Sequence, residues 1–527
     1  MSMTTKSNID RNRSAHPLLE VRRRPRRSLS AVSAGIVLIC ANLNGCSITP
    51  TTLDAQQNKD RSAALVSRMA ADQEPVTGPI DLYEAMARAI KYNLDYRVEV
   101  MDQALRTKDL DLKRFDMLPK LVVNLDYSGR NNESGGISRS ITTGRISLEP
   151  STSSDRDVFA TDVTLSWDVL DFGLSYVRAQ QAADEVMLSE ERKRKVINRI
   201  VEDVRSAYWR AVSAERLLGK IDELERVTQE ALAQAEQQQS SGQSAPLAAL
   251  SYQRELLSIR REAQTLAREL SVAKQQLAAL MNLPPDTPYK VVLPSRSTKW
   301  QAVRMDSADM LRMAIENRPE LREVAYQMRS NDREGTAAIL RALPSLRLFI
   351  GADWSDNSYL YNSSWAASGA RASWNLLNVF RLPVDRARVQ AQTDVLDERA
   401  QALTMAVATQ LQVSRARYEF RLRELDTAGR YLQVQNSIEK QFDAGFKAEK
   451  LSRQTLIREQ MNTVVSEVRL DVALADMQNA YANIYASIGV DPIDASMSSS
   501  DPVSVLTGKL RNLWAQRDDS LAKTSAQ

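Results

Sequence analysis

Very few residues in this chain can do covalent or metal chemistry. Among 527 residues there are one histidine, His16, and two cysteines, Cys40 and Cys46. A nucleophilic triad needs an imidazole beside its nucleophile, and a Cys/His metal site needs several such ligands together. If the chain is cleaved ahead of Cys46, what remains has no histidine and one cysteine, at its first position. Intrachain disulfides, Cys/His metal sites and histidine-based catalysis are then excluded. No phosphate-binding loop is present, so energy for any directed process must come from elsewhere. Composition leaves carboxylate chemistry open, but Asp168 and Asp171, just ahead of a long helix, read better as caps. No catalytic residue and no metal site is assigned, and the chain is not expected to be an enzyme.

Cys46 is the one residue whose surroundings specify a reaction. Basic residues cluster from Arg22 to Arg27, and a mostly apolar run follows from Leu29 to Leu43. That run has the length of a signal segment and is too short to span a bilayer as a helix. Leu43-Asn44-Gly45-Cys46 then resembles the bacterial lipobox, with Leu at −3, a small residue at −1 and Cys at +1. There the thiol is acylated and the amine is freed by cleavage. Ser47, rather than Asp, resembles lipoproteins sent to the outer membrane. Residues 1–45 are expected to be a lipoprotein signal peptide and 46–79 an extension carrying covalent lipid, palmitate included, at Cys46. No other cofactor is expected. Residues 1–45 carry a net charge of +6 within a total of +4. The rest is slightly acidic, so the basic pI is no argument for nucleic-acid binding.

The remainder repeats one plan, an internal two-fold repeat. Pro79-Ile80-Asp81-Leu82-Tyr83-Glu84-Ala85 opens an amphipathic helix ending near Met117-Leu118-Pro119, and Asp306-Ser307-Ala308-Asp309-Met310-Leu311 opens another ending at Ala342-Leu343-Pro344. After each proline the period changes from helical to two. Leu121, Val123, Leu125 and Tyr127 alternate with Val122, Asn124, Asp126 and Ser128. Strands are expected at about 120–128, 158–168, 345–354 and 365–375, each close to the ~9–11 residues that cross a bilayer when tilted. Tyr127, Trp167, Trp354 and Trp374 are expected at the membrane interfaces. Residues 129–157, polar and rich in Ser, Gly and Asn, suit an outward loop.

After each strand pair comes a very long helix, at 171–239 and 376–443, about 100 Å each at ~1.5 Å per residue. Ile197, Ile200, Val204, Ala207, Ala211, Ala214, Leu218 and Ile221 step by three and four, as do Met461, Val465, Val468, Val472, Ala475, Ala482 and Ala486. Such steps define coiled-coil seams. Helices 81–118 and 245–282, stacked, match the first long helix; 306–342 and 448–488 match the second. The breaks at Gly242, Gln243, Ser244 and at Gly445, Phe446, Lys447 lie a helix length from the strands, at a far mouth where partners dock. The expected units are a first repeat at 80–290 (hairpin 171–282), a linker at 291–305, a second repeat at 306–491 (hairpin 376–488) and a tail at 492–527.

In this order and duplication the chain resembles the TolC-like outer-membrane factor (outer membrane efflux protein) family over about 80–490. The likeness rests on Leu82-Tyr83-Glu84-Ala85 to Asn93, on Ala314 to Leu321, on Pro119 and Pro344, on Trp167-Asp168-Val169-Leu170-Asp171-Phe172-Gly173 and on the two glycine turns. It implies a mainly α fold with a transmembrane β part. Three subunits would give four strands each to one 12-stranded barrel above a helical coiled-coil tunnel, in the outer membrane of a Gram-negative bacterium, extending into the periplasm. Physics independently demands some assembly: four strands cannot close a barrel, whose smallest form has eight, and open edges in lipid leave backbone groups unpaired. Only the resemblance selects three copies.

Two departures are visible. Trp374-Asn375-Leu376-Leu377-Asn378-Val379-Phe380 lacks the glycine that follows Phe172, so the second long helix is expected to start differently. Gln243 to Leu250 hold no carboxylate, so no acidic gate ring is assigned; Glu449 and Arg453 are expected instead to form a mixed-charge latch between tips. The resemblance implies a passive duct in a tripartite efflux or type I secretion system, with a periplasmic adaptor and an inner-membrane pump as partners. A lipid-anchored, periplasm-spanning scaffold that conducts nothing is the alternative. Residues 503–517 suit a short amphipathic helix around the tunnel's waist.

Overall fold

The computed structural model describes residues 51–69, 73–147, 149–241, 245–284, 287–296, 305–494 and 496–523. The expected signal peptide with Cys46, and Gly242, Gln243 and Ser244, lie outside the described residues. The chain divides into residues 1–68 and 69–527. In the first unit α1 (Ala55–Met69) starts from a reciprocal cap: Gln57 N donates to Asp54 Oδ1 at 2.7 Å and Asp54 N to Gln57 Oε1 at 3.1 Å.

The second unit runs α2 (Leu82–Tyr92), α3 (Leu94–Phe115), β1 (Lys120–Gly129), β2 (Asp157–Asp168), α4 (Val169–Ser240) and α5 (Pro246–Leu280), then α6 (Ser307–Asn317), α7 (Pro319–Arg341), β3 (Ser345–Ser355), β4 (Ser364–Ser373), α8 (Leu377–Lys447), α9 (Arg453–Ser487) and α10 (Val503–Lys523). The fold is mainly helical with one small antiparallel sheet. At 72 and 71 residues, α4 and α8 each extend about 110 Å.

The opening helices are not continuous, as 81–118 and 306–342 had suggested. Each breaks once, at Asn93 and at Arg318. Both residues are extended, with ψ of 126° and 128°. Pro319 explains the second break, because its ring disfavours helical backbone at Arg318 and it suits the first position of a new helix. Asn93 makes the first break by capping: its Oδ1 accepts from Asp95 N at 3.0 Å and Tyr96 N at 3.3 Å.

The long hairpins are held by seams with steps of three and four. On α4 the buried line follows the expected positions from Ile197 through Ile221, with Leu217 buried where Leu218 had been placed. On α9 the expected line is displaced. Val472 is 46% exposed, while Met461, Val464, Glu467, Asp471 and Leu474 are buried. Two carboxylates therefore occupy the seam, and a reading that admits only apolar residues steps around them.

The helix ends close by one repeated device. Past α9, Val490 N donates to Tyr485 O and Gly489 N to Ala486 O, with Gly489 at φ +77°. Past α5 the left-handed residue is Asn282, and past α8 it is Glu449 at φ +56°. There Lys450 N donates to Gly445 O and Glu449 N to Phe446 O, both at 2.9 Å, which satisfies the last carbonyls of the helix. Gly445, Phe446 and Lys447 are thus the final helical turn of α8 and not the break, which falls at 448–452. Gly445 serves close approach instead: a Cβ there would meet Leu451 Cδ1 at 2.5 Å. Glu449→Gly is expected to raise stability by about 1 kcal/mol, the usual cost of a side chain in left-handed backbone. Thermal unfolding of the extracted protein checks this; a lower melting temperature would mean that the Glu449 carboxylate contributes more than its backbone costs.

The second long helix does start differently. Asp168 caps α4, accepting from Leu170 N and Asp171 N at 3.1 Å. Leu376, ahead of α8, offers no side-chain cap, and Pro383 lies inside the helix. The core lies where α2, α4, α9 and α10 meet. Residues near 291 add a short parallel bridge there, Ile80 with Val291, and Val503, Leu506, Leu510 and Trp514 of α10 pack inward.

Candidate functional site

The sheet is the first candidate. All neighbours are antiparallel in the order β1-β2-β3-β4, so the two strand pairs join through β2 and β3, and β1 and β4 are its edges. Register sorts the side chains. Val123, Val163, Ala352 and Ala366 lie in one row, and Leu121, Leu165 and Ile350 in another, on one face. Asn124, Asp162 and Asp353 lie on the other, where Asn124 Nδ2 donates to Asp162 Oδ2 at 3.0 Å. Trp365 shares that second face, against the simple alternation expected. β1 is solvent-exposed along its whole length, on both faces.

The four aromatic residues fall at the two ends of the strands. Tyr127 and Trp354 are at the loop end, where Trp354 meets Phe159 edge-on. Trp167 is at the helix end and contacts Phe172. Trp374 stands one residue beyond β4, and its indole N–H donates to Ala342 O at 3.0 Å.

The helical tips are the second candidate. Of the expected residues, Lys447 pairs with Asp443 one turn back, at 2.6 Å. Arg453 donates to Gln234 Oε1 at 3.1 Å and meets Glu230 at 3.4 Å, both on α4. Glu449 sits in the left-handed turn and takes no part in that contact. Just above, Gln454 and Arg458 both reach Glu255 on α5. The second hairpin is thus tied to both helices of the first.

The family model described as outer membrane efflux protein matches residues 86–283. That region resembles the outer membrane efflux protein family. Solved structures extend the likeness across most of the chain. The outer-membrane channel OprN is similar with a TM-score of 0.59 and 14% identity, over 77% of this chain and 89% of that one. The CmeC outer membrane channel of Campylobacter jejuni is similar with a TM-score of 0.61 and 12% identity, over 88% and 97%. The MtrE outer membrane channel of Neisseria gonorrhoeae, in its open state, gives 0.55 and 15%, over 78% and 89%. At these identities the likeness carries the fold. No curated protein matches the sequence. The family and these neighbours are transport channels and not enzymes, and the matches support an efflux duct in the outer membrane.

Within the matched region, α4 supplies two basic residues to a charge cluster around buried carboxylates. Arg216 donates to Asp471 Oδ1 at 3.0 Å and Lys220 to Glu467 at 2.7 Å. Arg296 grips Asp471 with two bonds, 2.7 and 2.9 Å, and Arg216 also holds Pro294 O. The hydrogen bonds that Arg296 donates to Asp471 raise its pKa despite burial. The cluster fastens residues near 296 across the α4–α9 seam. A second buried acid, Asp184 on α4, is held by Arg329 and Arg333 of α7. None of these residues was expected as a functional group. The signal was present for Glu467 and Asp471, which continue the three-and-four steps from Met461 and Val464. Among the described residues no group of His, Cys, Asp or Glu could hold a metal ion, and no helix is long and apolar enough to cross a membrane.

Proposed function

We propose that this chain is one subunit of a trimeric outer-membrane duct, passively conducting cargo delivered by a periplasmic adaptor and an inner-membrane pump. Three copies of the sheet make a barrel of twelve strands, with covalent lipid at Cys46 as a second membrane attachment. The tips around 242–244 and 445–452 meet the adaptor. One observation carries the reading: a four-stranded sheet with one apolar face, two edge strands and aromatic residues at both ends, joined directly to helices of about 110 Å. Left open in lipid, the edges would leave backbone groups unpaired at several kcal/mol each. Pairing with further copies removes that cost.

α8 supports self-association as well. Leu411, Tyr418, Leu425 and Leu432, seven apart, are buried within the chain. Val413, Phe420 and Val434, each about half exposed or more, form a second stripe at the same period, with Thr427 between Phe420 and Val434. A second seven-residue stripe suits another helix. Light scattering of the detergent-extracted protein, corrected for detergent, is expected to give a three-subunit particle that conducts in planar bilayers. The double substitution Phe420→Glu, Val434→Glu is expected to yield monomers and no current. A wild-type monomer, or wild type released by removing the lipid anchor alone, would replace the duct with the scaffold.

A further inference from the structure

The strand register sorts charge along the sheet as well as across it. On the polar face, Asp126, Asp162 and Asp353 lie towards the loop end, and Lys120, Arg347 and Arg371 lie towards the helix end. Each band sets like charges directly opposite one another. Asp162 faces Asp353 across β2 and β3, and Arg347 faces Arg371 across β3 and β4. Such neighbours stand about 5 Å apart and weaken a sheet. Among the described residues, neither arginine is paired with a carboxylate within the chain. Asp168, in their row, is engaged at the α4 cap, where its Oδ1 accepts from Leu170 N and Asp171 N. Even with Asp168 counted, the strands keep two net positive charges at the helix end, against three negative charges at the loop end. Asn124 and Thr164 donate to Asp162 but bring no charge. Arg347 and Asp353 are six residues apart in β3, about 20 Å at ~3.3 Å per residue. The Debye length in 0.1 M salt is about 10 Å, so the two bands act separately.

We infer that the lumen of the proposed barrel is a charge rectifier, with a basic throat next to the helical tunnel and an acidic outer mouth. The inference rests on the duct reading, in which the polar faces of several copies line one channel. Rings of arginine and lysine collect anions, and rings of aspartate collect cations. An anion driven outward enters through the basic throat, where anions are already concentrated. A cation driven inward enters through the acidic mouth. Both streams fill the stretch between the bands, and the pore conducts well. Reversing the force empties that stretch from both ends, and conductance falls. Nothing is pumped, because the asymmetry exists only under a driving force. The cargo class favoured is anionic. Molecules carrying carboxylate, phosphate or sulfate groups pass from the tunnel into the throat, whereas anions outside meet the repelling band first.

The test adds the purified full-length protein to one side of a planar bilayer. Helices of about 110 Å cannot cross it, so the loop end enters first and the orientation is fixed. In about 0.1 M KCl, current with the far side positive is expected to exceed current with the far side negative by ~2-fold or more, a modest share of the ~10-fold or greater enrichment that charged clefts produce. In about 1 M KCl the Debye length falls to ~3 Å and the asymmetry is expected to fade. Arg347→Gln with Arg371→Gln and, separately, Asp162→Asn with Asp353→Asn are each expected to remove most of the asymmetry. Both pairs of substitutions should leave particle size unchanged and the melting temperature no lower, since each removes a like-charge contact. Symmetric wild-type current at low salt would overturn the inference and leave the duct standing. So would asymmetry that persists in either variant, which would place its origin elsewhere in the pore. An assembled wild-type particle that carries no current would remove the duct and the rectifier together.

Discussion

Gly489→Ala is expected to abolish assembly of the folded protein. Gly489 is the left-handed residue that ends α9, at φ +77°. A side chain there costs about 1–2 kcal/mol on backbone grounds alone. Space is the larger obstacle. A Cβ would lie 2.6 Å from Asn317 C and 2.7 Å from Arg318 N, and both are backbone atoms that cannot rotate away. Arg318 is also the extended residue between α6 and α7, and its guanidinium donates to Ala486 O at 3.3 Å. Displacing this junction disturbs both hairpins, and the summed penalty should reach about 3–5 kcal/mol once overpacking is included. Yield from the outer-membrane fraction and melting temperature are the measurements. Gly508→Ala is the comparison: Gly508 lies within α10 with nothing within 4 Å of a Cβ, and alanine should stabilise it by roughly 0.5–1 kcal/mol. A wild-type melting temperature for Gly489→Ala would show that the α6–α7 junction yields to the added methyl.

Asp471→Ala is expected to be nearly as severe. Its carboxylate is 3% exposed and holds both Arg216 and Arg296. Removing one partner of a buried pair leaves charge without compensation, at about 3–5 kcal/mol. Here two guanidiniums lose their acceptor, although Arg216 keeps Pro294 O and Arg296 lies near Glu467 at 3.8 Å. A double-mutant cycle of Asp471→Asn with Arg296→Gln separates charge from volume. A coupling of about 1.5 kcal/mol or more is expected for a charged bond of this kind. Additive effects would mean that residues near 296 are held by backbone contacts, such as Ile80 with Val291, and that the cluster only neutralises itself.

The sequence was most legible where one physical signal acted alone. Period-two alternation after Pro119 and Pro344 located four strands to within a residue or two, and long stretches with few Gly or Pro located α4 and α8. Legibility failed where two signals competed. Pro319 was visible but was absorbed into an otherwise continuous apolar pattern. Asn93, a capping residue, left the pattern unbroken and made a helix boundary anyway. Gly445 suggested a turn, yet the left-handed residue is Glu449, and Gly445 instead gives Leu451 room to approach. Within the chain Arg453 faces Glu230 rather than Glu449, because partners across hairpins depend on how helices are rotated. Glu467 and Asp471 were passed over because acids seldom occupy a seam unless basic residues of another helix reach them.

The order of the strands sets a clock on synthesis. β2 pairs with β1 a few tens of residues away, but its other neighbour, β3, lies far along the chain: Asp168 faces Arg347. At ribosomal rates of 5–20 residues per second, β3 is made roughly 10–35 s after β2. Through that interval the first strand pair exists alone, and an isolated hairpin is marginal in water. Its apolar side chains wait unshielded while a 72-residue rod and three further helices are still being finished. An escort that holds apolar strands during transit, and hands them over only once the second pair has emerged, is therefore a requirement of the strand order itself.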